Sequence, residues 1–155
     1  MGLEDDIAIL EQVPTLALLG KPALRILAIG TESRHVPHGA VLFYAGDLAD
    51  GGYVIQDGSF LLEPGSSGSG EEITAGAGAL LGELALLTDT VRTATATALE
   101  SSTVIRIPRS LFLKMLEGYP AAAKKMRDAM AQRVDQWTHE LASVKTMLDP
   151  GEGAA

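Results

Sequence analysis

The sequence predicts a mainly β fold with flanking helices: an antiparallel β-roll (a jelly-roll-like barrel) with N-terminal helices and a long C-terminal helix. Between residues 34 and 108, short apolar or alternating runs are separated by Gly, Asp and Pro turns, which is typical of many short antiparallel strands. Outside that stretch the apolar residues follow helical spacing. The chain has 155 residues, of which 46% are hydrophobic and 21% charged. These values predict one globular domain with a hydrophobic core.

The chain divides into four segments. Residues 1–32 form an N-terminal helical segment, with helical spacing over 3–12 and 21–29 and breaks at Pro14 and Gly20–Pro22. Residues 33–108 form the β-roll, residues 109–148 the C-terminal helices, and residues 149–155 a tail of small residues. The candidate strands are His35–Pro37, Ala40–Tyr44, Tyr53–Gln56, Ser59–Glu63, Glu71–Ala75, Thr93–Ala98 and Thr103–Ile107. Between two of them, Pro64–Gly70 is predicted to be a mobile hairpin tip.

The C-terminal part carries two helical patterns. Ser110–Leu116 predicts a short helix that ends at Gly118-Tyr119-Pro120, because proline removes a backbone donor and clashes with the preceding turn. After this break the apolar residues step alternately by four and three positions up to about Leu148, which is a heptad seam. The members of the seam are Met130, Val134, Trp137, Leu141, Val144 and Leu148. Such a seam needs a partner, so we expect a homodimer through residues 130–148.

Charge and composition argue against several classes of function. The formal net charge is −8 and the pI is near 4.8. A chain this acidic repels polyanions, so direct nucleic-acid binding by this chain alone is disfavoured. It has no cysteine, which excludes disulfides and thiolate metal ligands. The acidic start and the lack of a long apolar run predict no signal peptide, no membrane association and a cytoplasmic location.

Residues 82–97, with the sequence GELALLTDTVRTATAT, carry the chemistry. Gly82 allows the backbone to approach a ligand closely, and the N–H groups of Leu84 and Ala85 at the start of a short apolar helix can receive an anion. Arg92 follows Glu83 by nine residues, inside a strand-like run, and its guanidinium can hold two phosphate oxygens at once. This combination indicates a small phosphorylated ligand that also carries hydroxyl groups.

The run from Gly82 to Leu87, followed by Arg92-Thr93-Ala94-Thr95, resembles the phosphate-binding cassette of the cyclic-nucleotide-binding domain, the ligand module of the catabolite activator protein and the kinase regulatory subunit. In the wider sequence, Gly39, Gly46 and Gly58 fall where that family turns between its early strands, and Gly78 precedes the cassette. The resemblance covers roughly residues 13–140, and the cassette corresponds to residues 78–95.

The resemblance implies a role for each cassette residue. Arg92, Thr93 and the backbone of Gly82, Glu83, Leu84 and Ala85 would hold the phosphate of cyclic AMP (cAMP) or cyclic GMP (cGMP), and the Glu83 carboxylate would accept a hydrogen bond from the ribose 2′-hydroxyl. The threonine at position 93 is compatible with cGMP as the ligand. The base contacts that the matched positions suggest are Leu62, Ile73, Leu81, Trp137 and Thr138.

Each of these residues also has a purely structural interpretation. Arg92 can instead pair with Glu83 or Asp89, Thr93 can be an ordinary β-branched strand residue, and Trp137 can belong to the heptad seam. Leu62 and Ile73 can be core residues. His35 and His38 lie three positions apart but would point in different directions, so we expect no metal site. With no nucleophile motif present, we expect no enzyme.

The leading hypothesis is therefore a regulatory sensor that signals through movement of its C-terminal helix. The helix-turn-helix domain of the related transcription regulators is missing after Leu148, so the chain either is part of a longer regulator or acts through a protein partner. The alternative hypotheses are a dimerisation module of the same fold without a ligand, and a β-roll metalloenzyme of the cupin type.

Overall fold

The computed structural model describes residues 3–65, 71–129 and 131. Three helices precede the sheets: α1 (Leu3–Glu11), α2 (Pro14–Ala17) and α3 (Lys21–Gly30). Proline occupies the first or second position of both α2 and α3, where its missing N–H has no helical partner to lose. Helix α4 (Arg109–Gly118) follows the last strand, and residues 120–129 continue as a helix beyond the break at Tyr119.

The described residues contain ten strands, all paired antiparallel. One four-stranded sheet has the order β1-β10-β4-β7, a second has the order β2-β9-β5-β6, and β3 pairs with β8. The strands are β1 (Glu32–Val36), β2 (Val41–Phe43), β3 (Leu48–Ala49), β4 (Gly51–Asp57), β5 (Ser59–Pro64), β6 (Ile73–Gly76), β7 (Leu80–Leu81), β8 (Thr90–Val91), β9 (Ala94–Ala98) and β10 (Ser102–Pro108). This architecture confirms the predicted mainly β fold with flanking helices.

Alternation along the central strands divides the apolar side chains between two cores. On β4, Val54 faces the helices, whereas Tyr53 and Ile55 face the interior of the roll. The helical core includes Leu16, Leu24 and Leu27 from α2 and α3, and Phe112 and Met115 from α4. The helices that precede the β-roll in the sequence and those that follow it therefore pack on one face of the same sheet.

The structure also corrects several details. The sequence did not predict α2, β3, β7 or β8, because segments of two to four residues are too short to show a period. The short apolar helix after Gly82 is a single 3-10 turn over Leu84–Leu86. Gly39, Gly46 and Gly58 have positive φ, in agreement with their predicted turns, and so does Gly78 before the cassette.

Some predictions concern residues outside the described ranges. These are most of the hairpin tip 64–70, the heptad seam over 130–148, and the tail over 149–155. Within residues 3–65 and 71–129, no helix is long and apolar enough to cross a bilayer.

Candidate functional site

The backbone from β7 to β9 forms one wall of the site. Gly82 has φ +84°, a conformation that costs little only for glycine, and it turns the chain from β7 into the 3-10 turn. The Ala85 N–H donates to the Gly82 carbonyl at 3.1 Å. In this structure the 3-10 turn uses the Ala85 amide internally, so its contact with an anion stays a prediction that requires this bond to break or to be shared.

Arg92 lies between β8 and β9 and not within a strand. Its backbone N–H donates to the Asp47 carbonyl at 2.8 Å, and its own carbonyl accepts from the Gly46 N–H at 2.7 Å. These two bonds to the turn before β3 fix the backbone where the side chain enters the roll. The side chain is only 7% exposed.

The Arg92 guanidinium is held by neutral groups. Nη2 donates to the Gly51 carbonyl at 2.8 Å, and the guanidinium carbon lies 4.4 Å from the Phe43 ring centroid and 5.5 Å from that of Tyr53. Nη1 is buried and has no hydrogen-bond partner among the described residues. Burial lowers the pKa of Arg92 from its ordinary value, yet an arginine remains charged in proteins.

The described residues give Arg92 no acidic partner. Asp89, one of the two acids considered, pairs instead with Nη2 of Arg109 at 2.5 Å. Glu83, the other, accepts a hydrogen bond from the Thr15 hydroxyl at 3.0 Å.

The carboxylates of Asp50 and Asp47 act on Arg92 without forming an ion pair, and their effect on its pKa is smaller than that of burial. Burying a charge with so little compensation costs several kcal/mol, on the order of the penalty for a buried ion. The position of Arg92 is therefore electrostatically incomplete within the described part of the chain.

Gly82 and Arg92 are in direct contact. A Cβ atom at position 82 would collide with Nη1 of Arg92. Glycine is thus favoured here for its positive φ, and any larger residue would force the guanidinium to shift from its present position. The two most distinctive residues of the sequence motif lie against each other in the structure.

A cavity of about 300 Å³ opens beside these residues. Of the predicted site residues, those that line it are Leu62, Leu81, Gly82, Glu83, Leu84, Ala85, Arg92 and Thr93. Most of the remaining lining is apolar and includes Phe43 and Leu80. The cavity therefore combines one buried cation, one carboxylate and an apolar surface, the composition that suits an amphipathic anion.

One predicted base contact, Ile73, lies away from the cavity, and two others fall outside the described residues. Ile73 does not line this cavity: it is 59% exposed and lies opposite Leu62 in the β5–β6 register, so it shares that sheet face but sits one strand nearer the edge. Trp137 and Thr138 lie outside the described residues.

Arg109 fastens the cassette to the start of α4. Its Nη1 donates to the carbonyls of Ala49, Ala85 and Thr88 at 2.9, 3.2 and 3.0 Å, and its Nη2 pairs with Asp89. One side chain thereby connects β3, the 3-10 turn and the loop after it to the first residue of the helix. Any displacement of the turn must change these bonds.

Sequence reasoning missed Gly51, Phe43, Tyr53 and Arg109. The Gly51-Gly52 pair that begins β4 was a usable signal, because a Cβ at Gly51 would collide with the Ile107 carbonyl of β10. The two rings and Arg109 carry no local signal, since their role depends on which strands become neighbours. In the part of the chain that the structure describes, no group of three or more His, Cys, Asp or Glu side chains is placed to hold a metal ion.

Comparison with known proteins gives consistent matches. The family described as the cyclic nucleotide-binding domain matches residues 33–119. An uncharacterized NTE family protein of Mycobacterium tuberculosis is 34% identical over 127 residues, which cover 82% of this chain and 21% of that protein. The cyclic AMP receptor protein of Thermus thermophilus is 30% identical over 112 residues, which cover 71% of this chain and 52% of that protein.

A solved structure from Brucella abortus, described as a cyclic nucleotide-binding-like protein, is 38% identical. It superposes with a TM-score of 0.63 and covers 73% of this chain and 98% of that one. The chain thus spans about a fifth of the mycobacterial relative and about half of the Thermus relative. The matched family, the shared fold and the cassette around Arg92 agree, and the chain belongs to the cyclic nucleotide-binding domain family.

Proposed function

We propose that this chain is a regulatory sensor that binds cAMP or cGMP and signals through movement of its C-terminal helix. The observation that carries the proposal is the buried guanidinium of Arg92, which lies next to a cavity of about 300 Å³. Its Nη1 finds no hydrogen-bond partner in the described part of the chain. A cyclic phosphodiester supplies one negative charge and two acceptor oxygens, which suit a guanidinium that has no acid of its own among the described residues.

The parts of the nucleotide would meet different residues. Arg92, Thr93 and the backbone of residues 82–85 would hold the phosphate, and the Glu83 carboxylate would accept the ribose 2′-hydroxyl. Leu62 and Leu81 would contact the base from the apolar part of the cavity. Ile73, Trp137 and Thr138 remain predicted base contacts.

Binding would involve a local rearrangement. Nη1 is shielded from solvent beside Gly82, so a phosphate can reach it only when the Gly82 segment or the guanidinium shifts. Because Arg109 connects the Ala85 and Thr88 carbonyls to the start of α4, such a shift would also displace the C-terminal helices. This would be a population shift between two packings and not a chemical reaction.

The oligomeric state, location and signalling partner of the sensor are also part of the proposed function. We infer a homodimer through residues 130–148, a cytoplasmic location, and a protein partner or linked domain that receives the signal, with no direct contact to nucleic acid or membrane. The matched residues cover only 21% of the NTE family relative, so the proposed function does not extend to that relative's whole-protein activity.

Isothermal titration tests the ligand. We expect saturable one-site binding of cAMP, cGMP or both, and no binding of cyclic di-GMP, whose second nucleotide exceeds a cavity of about 300 Å³. Absence of heat with both mononucleotides, confirmed by an unchanged melting temperature at millimolar ligand, would refute the sensor and favour the dimerisation module. Light scattering at tens of micromolar protein then tests the dimer.

A further inference from the structure

A partly buried hydrogen bond joins the N-terminal helices to the cassette. The Thr15 hydroxyl in α2 donates to Oε2 of Glu83 at 3.0 Å, across 68 residues of sequence. Thr15 is only 2% exposed. A buried hydroxyl must be hydrogen-bonded to avoid a desolvation penalty, and a carboxylate is among the strongest acceptors available.

The residues around Thr15 are closely packed. Val13, Leu16 and Leu19, on both sides of it, are 3%, 0% and 6% exposed and belong to the core between the helices and the sheet. Leu86 of the 3-10 turn belongs to the same core. The donor and the turn that carries its acceptor are therefore anchored to one packed unit.

A glutamate side chain has three rotatable bonds, and a fixed donor on one oxygen selects among its rotamers. A carboxylate has two oxygens and about four acceptor positions, so one bond from Thr15 is compatible with a second donor from a ligand. Glu83 also lines the cavity. Thr15 thus holds this carboxylate at the edge of the space that a ligand would enter.

We propose that Thr15 is a positioning residue that orients the Glu83 carboxylate toward the ribose 2′-hydroxyl of the bound nucleotide. This proposal rests on the proposed function and extends it to the N-terminal helices. A fixed acceptor binds without first losing rotamer freedom, so Thr15 would favour nucleotides that carry the 2′-hydroxyl.

The test compares Thr15→Val with the wild-type protein by titration of cAMP or cGMP, whichever binds, and of its 2′-deoxy analogue. Valine keeps the shape of threonine and removes the hydroxyl. We expect Thr15→Val to weaken binding of the ribose form by about threefold to tenfold, the scale of one hydrogen bond. The 2′-deoxy analogue should bind the variant and the wild type equally. Thr15→Ser, which retains a hydroxyl, should restore most of the preference.

Thr31→Val is the matched control, because the Thr31 hydroxyl also lies in the N-terminal segment but bonds the local Ala28 carbonyl at 3.1 Å. It should change neither affinity. Equal weakening of both ligands by Thr15→Val, or no weakening of either, would overturn the role of Thr15 alone. A wild-type protein that binds neither mononucleotide would overturn both this proposal and the proposed function.

Discussion

Replacement of Arg92 by methionine separates a ligand-binding arginine from a structural one. Methionine keeps an unbranched apolar chain that can fill the space between Phe43 and the Gly82 backbone, but it removes the charge and all five donors. If the arginine serves a ligand, affinity should fall while the ligand-free protein stays folded. If it serves the fold, stability should fall first.

The contacts of the guanidinium set the expected magnitudes. The loss of the bond to the Gly51 carbonyl costs about 1.5–3 kcal/mol, and the loss of the ring contacts about 0.5–2 kcal/mol. Removal of the buried Nη1, which no described residue bonds, returns about 1–3 kcal/mol or more. These terms nearly cancel, so we expect the free energy of unfolding to change by less than about 2 kcal/mol. A broken buried ion pair would instead cost about 3–5 kcal/mol.

The effect on binding should be larger. Each charge-assisted bond to the phosphate contributes about 1.5–3 kcal/mol, and 1.4 kcal/mol corresponds to a tenfold change. We therefore expect Arg92→Met to weaken nucleotide binding by at least about tenfold.

Urea unfolding without ligand and isothermal titration measure the two quantities on the same samples. Arg106→Met is the control, since Arg106 pairs with Asp50 at 2.8 Å outside the cavity and should change neither quantity appreciably. Unchanged affinity in Arg92→Met, or a loss of more than about 3 kcal/mol of stability without ligand, would refute the reasoning.

Three further substitutions test the geometry around this arginine. Gly82→Ala should lower the melting temperature and abolish binding, because its methyl group collides with Nη1 of Arg92. Gly39→Ala is the control: it has a similar φ of +83°, and its Cβ would have no described atom within 4 Å, so it should show only the backbone penalty of about 1–2 kcal/mol. Equal melting temperatures for the two variants would contradict the collision. Gly51→Ala should prevent folding or cost more than about 3 kcal/mol, because its Cβ would meet the backbone of β10, and circular dichroism showing a native melting curve would disprove this. Arg109→Ala should speed amide hydrogen exchange in residues 84–89 and Arg109→Lys should do so less; unchanged exchange would show that these bonds do not hold the turn.

Local patterns decide how much of the fold the sequence predicts. The predicted strand Ser59–Glu63 appears as Ser59–Pro64, and helix 21–29 appears as Lys21–Gly30, because turn residues and apolar periods act over neighbouring positions. Strands of two residues have no period: Leu80–Leu81 is a strand only because β4 lies beside it, and β3 and β8 are strands only because they pair with each other. The strand predicted from His35 begins at Glu32, since β10 supplies partners as far as Arg106.

The candidate site divides in the same way. The sequence alone determined the family and predicts which residues would touch a phosphate, because a cassette of one glycine, one glutamate and one arginine is encoded over a short stretch of chain. Only the tertiary structure decided that Arg92 bonds the Gly51 carbonyl beside the stacked Phe43 and Tyr53 rings. It also decided that the Ala85 N–H donates to the Gly82 carbonyl and that Thr15 bonds Glu83. The physical reason is distance along the chain: these contacts join groups up to 68 residues apart, and no local pattern records which buried polar groups the packed core brings together.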